Sequence, residues 1–210
     1  IVAPEAYLSI TFVQDGNSGK FTSDMRSFDQ ELQVWEAHIT GQEINGPVTL
    51  HWSFPQPAEA NTEIVLLDNL SRKTMAMDEG QQLELGMISE RFPRKVHIVA
   101  GPTELVQAAL RDLLAAIPEK FTLYQNYPNP FNPTTTLRFG LPQPSNIEFK
   151  IINIMGQEVA TIFTGWQDMG FYDYRWSGLN DLGHQVSNGV YFAVLTNGRD
   201  IKVRKMILVK

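Results

Sequence analysis

Four histidines are the residues of this sequence best suited to metal or acid–base chemistry, namely His38, His51, His97 and His184. His38 and His51 fall on successive predicted strands, where they could face each other as a metal pair. A zinc site needs at least three protein ligands, and no third ligand is evident in the sequence. We therefore predict that both histidines lie on strand surfaces, and we predict no metal and no cofactor.

Two acidic turns offer oxygen ligands for calcium. The first is Asp15-Gly16-Asn17-Ser18-Gly19, with Asp24 and Asp29 nearby, and the second is Asn180-Asp181. Neither has the ligand spacing or the closing glutamate of an EF-hand loop. Ordinary turns are the favoured interpretation, and structural calcium is the alternative.

The sequence lacks the motifs of common active sites. It contains no cysteine, no Gly-x-Ser-x-Gly elbow, and neither a Walker loop nor a dinucleotide fingerprint. Its carboxylates are scattered, so no pair can be named for glycoside hydrolysis. We predict a chain that is not an enzyme, although a catalytic domain upstream is compatible with the sequence.

Three tryptophans could form a platform for stacking on sugar rings, namely Trp35, Trp52 and Trp166. Tryptophans of β-sandwiches are more often buried in the core, so that interpretation is favoured. A carbohydrate-binding role for residues 1–101 is the alternative.

Charge and composition limit the partners of the chain. Its 210 residues include 17 basic and 23 acidic side chains, which give a net charge of −6. No basic patch for phosphate groups is evident, so nucleic acid is excluded as a partner. No stretch reaches the roughly 18 apolar residues of a membrane helix. Because the sequence begins with Ile1 rather than methionine, we expect a mature or excised piece, and an export signal could have stood upstream.

Residues 1–101 consist of short runs that predict a β-sandwich. In residues 48–52, for example, three apolar side chains alternate with two polar ones, the pattern of a strand with one buried face. About seven such runs, separated by turn residues, predict an antiparallel sandwich. The runs are 7–13, 32–39, 48–52, 64–68, 73–77, 82–85 and 95–99.

A single helix is predicted after Gly101. Thr103 can cap its amino terminus, and Glu104 lies favourably near the positive end of the helix dipole. Apolar residues then recur at helical spacing until Pro118 ends the helix. We expect residues 102–120 to be a helical linker whose apolar stripe packs on one sandwich or between both.

Residues 121–210 predict a second antiparallel sandwich of about seven strands. It opens with Tyr127-Pro128-Asn129-Pro130-Phe131-Asn132-Pro133, a rigid stretch because each proline fixes φ and removes an N–H donor. The predicted fold class is therefore all-β, with two antiparallel sandwiches joined by one amphipathic helix. The main strand runs are 136–141, 147–154, 158–163, 170–176, 190–196 and 202–209.

Five motifs follow one another in the second half. They are 125–135 with its prolines; Ile154-Met155-Gly156-Gln157-Glu158-Val159, as in a turn N-x-x-G-x-x-V; Trp176-Ser177-Gly178 to Gly183, as in W-x-G … G; Ser187-Asn188-Gly189-Val190-Tyr191-Phe192, as in S-G-V-Y; and the basic terminal strand Lys205-Met206-Ile207-Leu208-Val209-Lys210. In this order they resemble the C-terminal sorting domain of type IX secretion substrates. Asn188 departs from the family's usual glycine or serine, and Trp166-Gln167-Asp168 is more polar than the family pattern.

The resemblance implies an FlgD-type, immunoglobulin-like sandwich over residues 121–210 of a secreted or cell-surface protein from Bacteroidota or their relatives. It implies export through the periplasm and recognition by an outer-membrane translocon. Sortase-like processing then often removes the domain and anchors the cargo. Residues 1–101 resemble, more loosely, β-sandwich modules that precede such domains.

Two other functions stay open at this point. The domain could be retained as a docking module of an extracellular assembly, in contact with surface proteins or glycans. The chain could also be an accessory region of a larger secreted enzyme.

The resemblance also implies which residues carry the sorting motif. Each has a structural interpretation as well: Tyr191 as a core aromatic, Gly189 as a glycine with positive φ, and the basic terminal residues, such as Lys202 and Arg204, as protection of an edge strand. We expect recognition to involve the folded surface and the last strand. The implied residues are Pro128, Asn129, Pro130, Phe131, Asn132, Pro133, Gly156, Gly189, Tyr191, Lys205 and Lys210.

Overall fold

In a computed structural model the chain forms two compact units, residues 1–115 and 116–210. The first possible calcium turn, residues 15–19 with Asp24 and Asp29, lies outside the described residues, and so does Lys210. Residues 7–13, 20–21 and 42 are described by their backbone alone. The described residues are 7–13, 20–21, 31–42, 47–53, 61–78, 80–89 and 93–209.

The first unit contains eight described strands, all paired antiparallel. They are β1 (Tyr7–Val13), β2 (Lys20–Phe21), β3 (Gln33–Gln42), β4 (Val48–His51), β5 (Glu63–Asp68), β6 (Lys73–Ala76), β7 (Gln82–Gly86) and β8 (Arg94–Gly101). Six of them form one sheet in the order β2-β1-β3-β8-β5-β6, and β4 pairs with β7. The seven predicted strands are confirmed, and the short β2 is an addition.

Both faces of the six-stranded sheet are covered, because its central strands carry apolar residues at successive positions. On one face Leu66 and Val96 pack with apolar residues of β4 and β7. On the other face Val65, Leu67 and Val99 pack against a helix. This second cover explains the nearly continuous apolar run in β5.

The helix α1 (Thr103–Ala115) belongs to the first unit. It buries Val106 and Leu110 against β5 and β8. A helix of this length is marginal in water by itself, so the sheet stabilises it. The predicted linker region thus contributes its helix to the first unit, and the boundary between the units lies after Ala115. Within the described part of the chain no helix has the length and apolar character needed to cross a membrane.

The second unit is an immunoglobulin-like antiparallel β fold, as predicted. Its sheets have the orders β13-β10-β9 and β12-β11-β14-β15. The strands are β9 (Thr122–Leu123), β10 (Thr135–Leu141), β11 (Ser145–Asn153), β12 (Glu158–Gln167), β13 (Gly170–Trp176), β14 (Gly189–Thr196) and β15 (Ile201–Leu208).

One aromatic-rich core holds these two sheets together. Phe139 of β10 and Phe149 of β11 meet edge to face, with ring centroids 5.5 Å apart. Tyr174 of β13 contacts both rings. Edge-to-face pairs are a favoured aromatic geometry, so the alternating large residues of β10 and β11 stabilise the packing of one sheet on the other.

Candidate functional site

The proline segment, residues 127–133, lies along the outer edge of β15. The N–H of Phe131 donates to the carbonyl of Ile207 at 2.9 Å, and the N–H of Val209 donates to the carbonyl of Phe131 at 3.0 Å. β15 is the last strand of its sheet. The segment therefore satisfies edge groups that would otherwise attract another strand.

Asn129 extends this pairing with its side chain. Its Oδ1 accepts the N–H of Ile207 at 2.9 Å, and its Nδ2 donates to the carbonyl of Lys205 at 3.3 Å. The Nε2 of Gln125 donates to the same carbonyl at 2.9 Å. The amide side chains of Asn129 and Gln125 thus supply hydrogen-bonding groups to β15 that the backbone of a neighbouring strand would otherwise supply.

Asn126 is a buried polar residue that fixes the start of the proline segment. Its Nδ2 donates to the carbonyl of Pro128 and to Oγ1 of Thr135, each at 2.9 Å. The hydroxyl of Thr135 donates to the same carbonyl at 2.8 Å. Buried polar groups are costly unless they are hydrogen-bonded, so this closed network restricts the path of the chain at Pro128.

Three aromatic side chains lie beneath the edge of β15. They are Phe131, Trp176 and Tyr191, and we call them the aromatic cluster. Trp176 is 5.5 Å from each of the other two ring centroids. Its Nε1 donates to the carbonyl of Leu179 at 2.9 Å, and the Tyr191 hydroxyl donates to the carbonyl of Ser187 at 2.7 Å. Burial raises the pKa of the Tyr191 hydroxyl above its usual value. The cluster links the proline segment to β13 and β14.

The structure therefore brings five of the implied sorting residues together. Lys205 takes part through its carbonyl oxygen, while its side chain is exposed. The five residues are Pro128, Asn129, Phe131, Tyr191 and Lys205.

The remaining residues of the proline segment shape its course. The peptide bonds before Pro128 and Pro130 are cis. Asn132 is exposed. The carbonyl of Pro133 lies 3.3 Å from where a Cβ would stand on Gly178, whose φ is +69°. Both the contact and the backbone angle favour glycine at that position.

The two implied glycines lie elsewhere in the second unit. Gly156, with φ +78°, lies in the turn between β11 and β12. Gly189, with φ +154°, begins β14 opposite Leu208. The positive φ expected of Gly189 is present.

Of the site residues that are missing from the implied sorting residues, Asn126, Trp176 and Ile207 contribute the buried network, the middle ring of the aromatic cluster and the backbone pairing. The sequence places Trp176 in a family motif without giving it a role. Asn126 likewise lies within the matched residues 125–135 without being given a role. Ile207 contributes backbone groups, which leave no signal in the sequence.

Basic side chains protect only part of the β15 edge. Nζ of Lys202 lies 6.0 Å from the ring centroid of Phe121, and Nη1 of Arg204 donates to the carbonyl of Val203 at 3.0 Å. The carboxyl-terminal half of the strand is paired with the proline segment instead. The expected edge strand is therefore present, but charge is not its main protection.

A second polar cluster lies in the first unit and was not predicted. Oε1 of Glu36 lies 2.7 Å from Nε2 of His38 and 3.2 Å from Nζ of Lys95, and Oε2 lies 3.3 Å from Nε2 of His97. Nδ1 of His97 lies 2.8 Å from Oδ1 of Asn69. The hydrogen bonds from His38 and His97, followed by the charge of Lys95, hold the pKa of Glu36 well below its usual range.

The metal pair that was considered for His38 and His51 does not form. His38 in β3 lies opposite Lys95, whereas His51 in β4 lies opposite Gln82 in a different sheet. Among the residues that the structure describes, no group of three or more His, Asp or Glu side chains could hold a metal ion.

The other two candidate ligand sites also have structural explanations. Oδ1 of Asp181 accepts the N–H of Thr161 at 2.8 Å, so this carboxylate links the loop after β13 to β12. Nε1 of Trp52 donates to the carbonyl of Asp78 at 2.9 Å. Trp35 lies in β3 of the six-stranded sheet, and Trp166 lies in β12 of the second unit.

Comparison with known proteins agrees with the fold of the second unit. Residues 128–200 match the family described as the FlgD Ig-like domain. The sequence matches none of the curated proteins.

Two solved structures from Porphyromonas gingivalis resemble parts of the chain. One is of PorZ, described as an essential bacterial surface component of the type-IX secretion system; it has 14% identity and a TM-score of 0.31, over 54% of this chain and 14% of PorZ. The other is of dimeric latent PorU, with 14% identity and a TM-score of 0.35, over 97% of this chain and 20% of PorU. The chain thus spans a fifth or less of the length of either protein.

Proposed function

We propose that residues 121–210 are a C-terminal sorting domain that directs a secreted or cell-surface bacterial protein through the type IX secretion system. In this proposal the 210 residues have no catalytic role, and the protein reaches the cell surface or the medium by way of the periplasm. Its partners are the outer-membrane translocon and a sortase-like processing enzyme.

The observation that carries this proposal is the convergence of separate motifs on one strand. The proline stretch, the W-x-G motif, the S-G-V-Y motif and the terminal strand are far apart in sequence, yet Phe131, Trp176, Tyr191 and β15 are in contact. The match of residues 128–200 to the FlgD Ig-like domain supports the same assignment.

The geometry also supports a mechanism for recognition. Because Phe131 and Asn129 hold Ile207 and Val209 by hydrogen bonds, the end of β15 is part of a folded surface. A translocon would then recognise the folded domain rather than a flexible tail. A recognition surface that is already ordered before binding lowers the entropic cost of binding.

An export assay tests the proposal. The chain is placed behind a periplasmic leader in a bacterium with a type IX system, and the periplasm and medium are compared. Deleting residues 205–210, or changing Tyr191→Ala, should leave the protein in the periplasm, whereas Arg199→Ala, at an exposed position outside the implied sorting residues, should reach the medium. Arrival of the truncated chain in the medium would contradict the proposal.

Mass spectrometry of the exported protein separates a cleaved signal from a retained docking module. Loss of the residues after about position 120, as expected when processing removes the domain, supports a cleaved signal. An intact second unit on the cell surface identifies the retained docking module.

A further inference from the structure

The second unit contains the same five-residue loop twice. Asn153-Ile154-Met155-Gly156-Gln157 joins β11 to β12, and Asn180-Asp181-Leu182-Gly183-His184 follows β13. Each belongs to a sequence N-x-x-G-x-x-V, at 153–159 and at 180–186. In both, the final valine packs against the core.

Four hydrogen bonds of the first loop recur at the same positions of the second loop. Oδ1 of Asn153 accepts the N–H groups of Met155 and Gln157, at 2.9 and 3.0 Å. The backbone N–H of Asn153 donates to the carbonyl of Gln157 at 2.9 Å, and that of Gly156 donates to the carbonyl of Asn153 at 3.0 Å. Asparagine side chains commonly close turns in this way.

In the second loop, Oδ1 of Asn180 accepts the N–H groups of Leu182 and His184, at 3.1 and 2.9 Å. The N–H of Asn180 donates to the carbonyl of His184, and that of Gly183 donates to the carbonyl of Asn180, both at 2.9 Å. Gly183 has φ +78°, the same as Gly156. The two loops therefore share one internally bonded conformation.

Both loops present a large apolar side chain to solvent. Met155 is 73% exposed and Leu182 is 79% exposed, and Ile154 beside Met155 is 73% exposed. Single exposed apolar residues need no explanation. Three exposed apolar residues on two hydrogen-bonded loops do need an explanation, because each loop is rigid and these side chains contribute nothing to the core.

The two loops lie at the same end of the unit. The N–H of Asp181 donates to the carbonyl of Val159 at 3.2 Å, and the N–H of Thr161 donates to Oδ1 of Asp181 at 2.8 Å. The second loop is thus fixed to β12 just after the first loop ends. We call Ile154, Met155 and Leu182 the apolar tips.

The charges around the apolar tips favour a protein over a membrane. Residues 151–165 and 177–189 contain no Lys or Arg. The neighbouring Lys150 is paired with Glu148 at 2.6 Å and with Glu158 at 2.8 Å, so these three side chains together with Asp181 carry a net charge of −2. A surface that inserts into anionic lipid carries basic residues around its apolar side chains. Rigid apolar side chains within an acidic rim instead fit an apolar recess in a folded protein with a neutral or basic rim.

We propose that the apolar tips are the surface by which the second unit docks into an apolar recess of a protein partner during export. This inference rests on the proposed sorting function and names the surface through which it acts. Methionine suits such a contact because its flexible thioether adapts to the shape of a recess.

The test compares export of the chain with changed tips and with matched controls. The pair Met155→Ser and Leu182→Ser should lower the secreted amount about tenfold, as expected when exposed hot-spot side chains are lost. The swap Met155→Leu with Leu182→Met keeps both tips apolar and should be exported normally. Ile201→Ser removes an apolar residue that is 66% exposed at the start of β15, at the end of the sheet away from Asn153, and should also be exported normally.

Thermal unfolding of each variant separates docking from folding, because exposed side chains should leave the unfolding temperature unchanged. If the Ser pair lowers that temperature, the single change Met155→Gln replaces it with the same expected loss of export. Normal export of the Ser pair, while deletion of residues 205–210 blocks export, would overturn the docking surface alone. Normal export of both variants would overturn the sorting function and the docking surface together.

Vesicles test the alternative of a lipid surface. The full chain is sedimented with vesicles of phosphatidylcholine, and with vesicles of equal parts phosphatidylcholine and phosphatidylglycerol. We expect no binding to either. Binding by the wild-type chain that the Ser pair loses would overturn the inference of a protein partner.

Discussion

The side chain of Asn129 accepts a hydrogen bond from the backbone N–H of Ile207 at 2.9 Å. Asn129 lies between two prolines, which have no N–H to offer a neighbouring strand. The amide side chain therefore performs the pairing that the backbone on either side cannot. This one contact connects the rigid stretch at the start of the second unit to the last strand of the chain.

Removing this side chain should destabilise the second unit. Asn129→Ala leaves the N–H of Ile207 without its partner, and such losses cost about 1–3 kcal/mol. Hydrogen exchange with mass spectrometry should show faster exchange in residues 205–209. Asn132→Ala removes an exposed amide of the same segment and should change stability by less than about 0.5 kcal/mol. Equal effects of the two variants would mean that the pairing does not stabilise β15.

The aromatic cluster should depend on both the ring and the hydroxyl of Tyr191. Tyr191→Phe keeps the ring but loses the hydrogen bond to the Ser187 carbonyl, at a cost of about 0.5–1.5 kcal/mol. Tyr191→Ala also empties the space beside Trp176 and should cost about 3–5 kcal/mol. Tyr127→Phe, at an exposed position, is the control for thermal unfolding. If Tyr191→Phe were as unstable as Tyr191→Ala, the ring would not stabilise the cluster separately from the hydroxyl, and the prediction would be wrong.

The strands could be predicted from the sequence because alternation is a local property. Residues 48–52 show this in the first unit, where β4 matches the predicted run. The helix was predicted for the same reason, since its apolar spacing and its flanking proline are local signals. The sequence could not predict that the helix packs on β5 and β8. That contact depends on which face of the sheet the other strands leave free, and this is set by the fold of the whole unit.

The sites were harder to predict than the strands, because their contacts join distant residues. Nothing near Glu36 in the sequence shows that His97 will lie beside it; only the pairing of β3 with β8 brings them together. The contact of Phe131 with Ile207 likewise follows from the path of the whole second unit. The family resemblance could name Phe131 and Tyr191, but not the backbone groups they hold in place.

A substitution on the buried face of the helix should destabilise the first unit. Leu110→Ala leaves a cavity between α1 and the six-stranded sheet and should cost about 2–4 kcal/mol. Hydrogen exchange should then speed up in β5 and β8 and stay unchanged in β14. Gln107→Ala, at an exposed position of the same helix, should have little effect. Faster exchange in β14 alone would mean that the helix stabilises the second unit instead.

The two repeated loops should lose similar stability when their asparagines are removed. Asn153→Ala and Asn180→Ala each leave two backbone N–H groups exposed to water without the side-chain acceptor. Because both loops are exposed, we expect a modest cost of about 0.5–1.5 kcal/mol for each. Thermal unfolding of the two single variants measures it. A large cost for one loop and none for the other would contradict the equivalence of their hydrogen bonds.

The Glu36 cluster should make the first unit sensitive to acid. The pKa of Glu36 is lowered from its usual 4.5 by hydrogen bonds from His38 and His97. A carboxyl whose pKa is lower in the folded state stabilises the fold above its unfolded pKa, and this stabilisation is lost as the pH falls through the folded pKa. The contribution of Glu36 should therefore be complete at about pH 6 and should decline below about pH 4.5.

Glu36→Gln keeps the shape of the side chain and removes its charge, so it isolates this contribution. The variant should be less stable than the wild type at about pH 6, by about 1–3 kcal/mol, since hydrogen bonds to a charged group are lost. The difference should shrink as the pH falls below about 4.5, because the carboxyl then takes up a proton in the unfolded wild type while it stays ionised in the folded state, which lowers the free energy of unfolding of the wild type. Pulsed hydrogen exchange of β3 and β8 at increasing urea concentration measures it for the first unit alone. Glu84→Gln, at an exposed position in β7, controls for the general effect of one acidic charge. A difference between wild type and Glu36→Gln that stays constant from about pH 6 to about pH 3 would show that the ionised carboxylate does not stabilise the cluster.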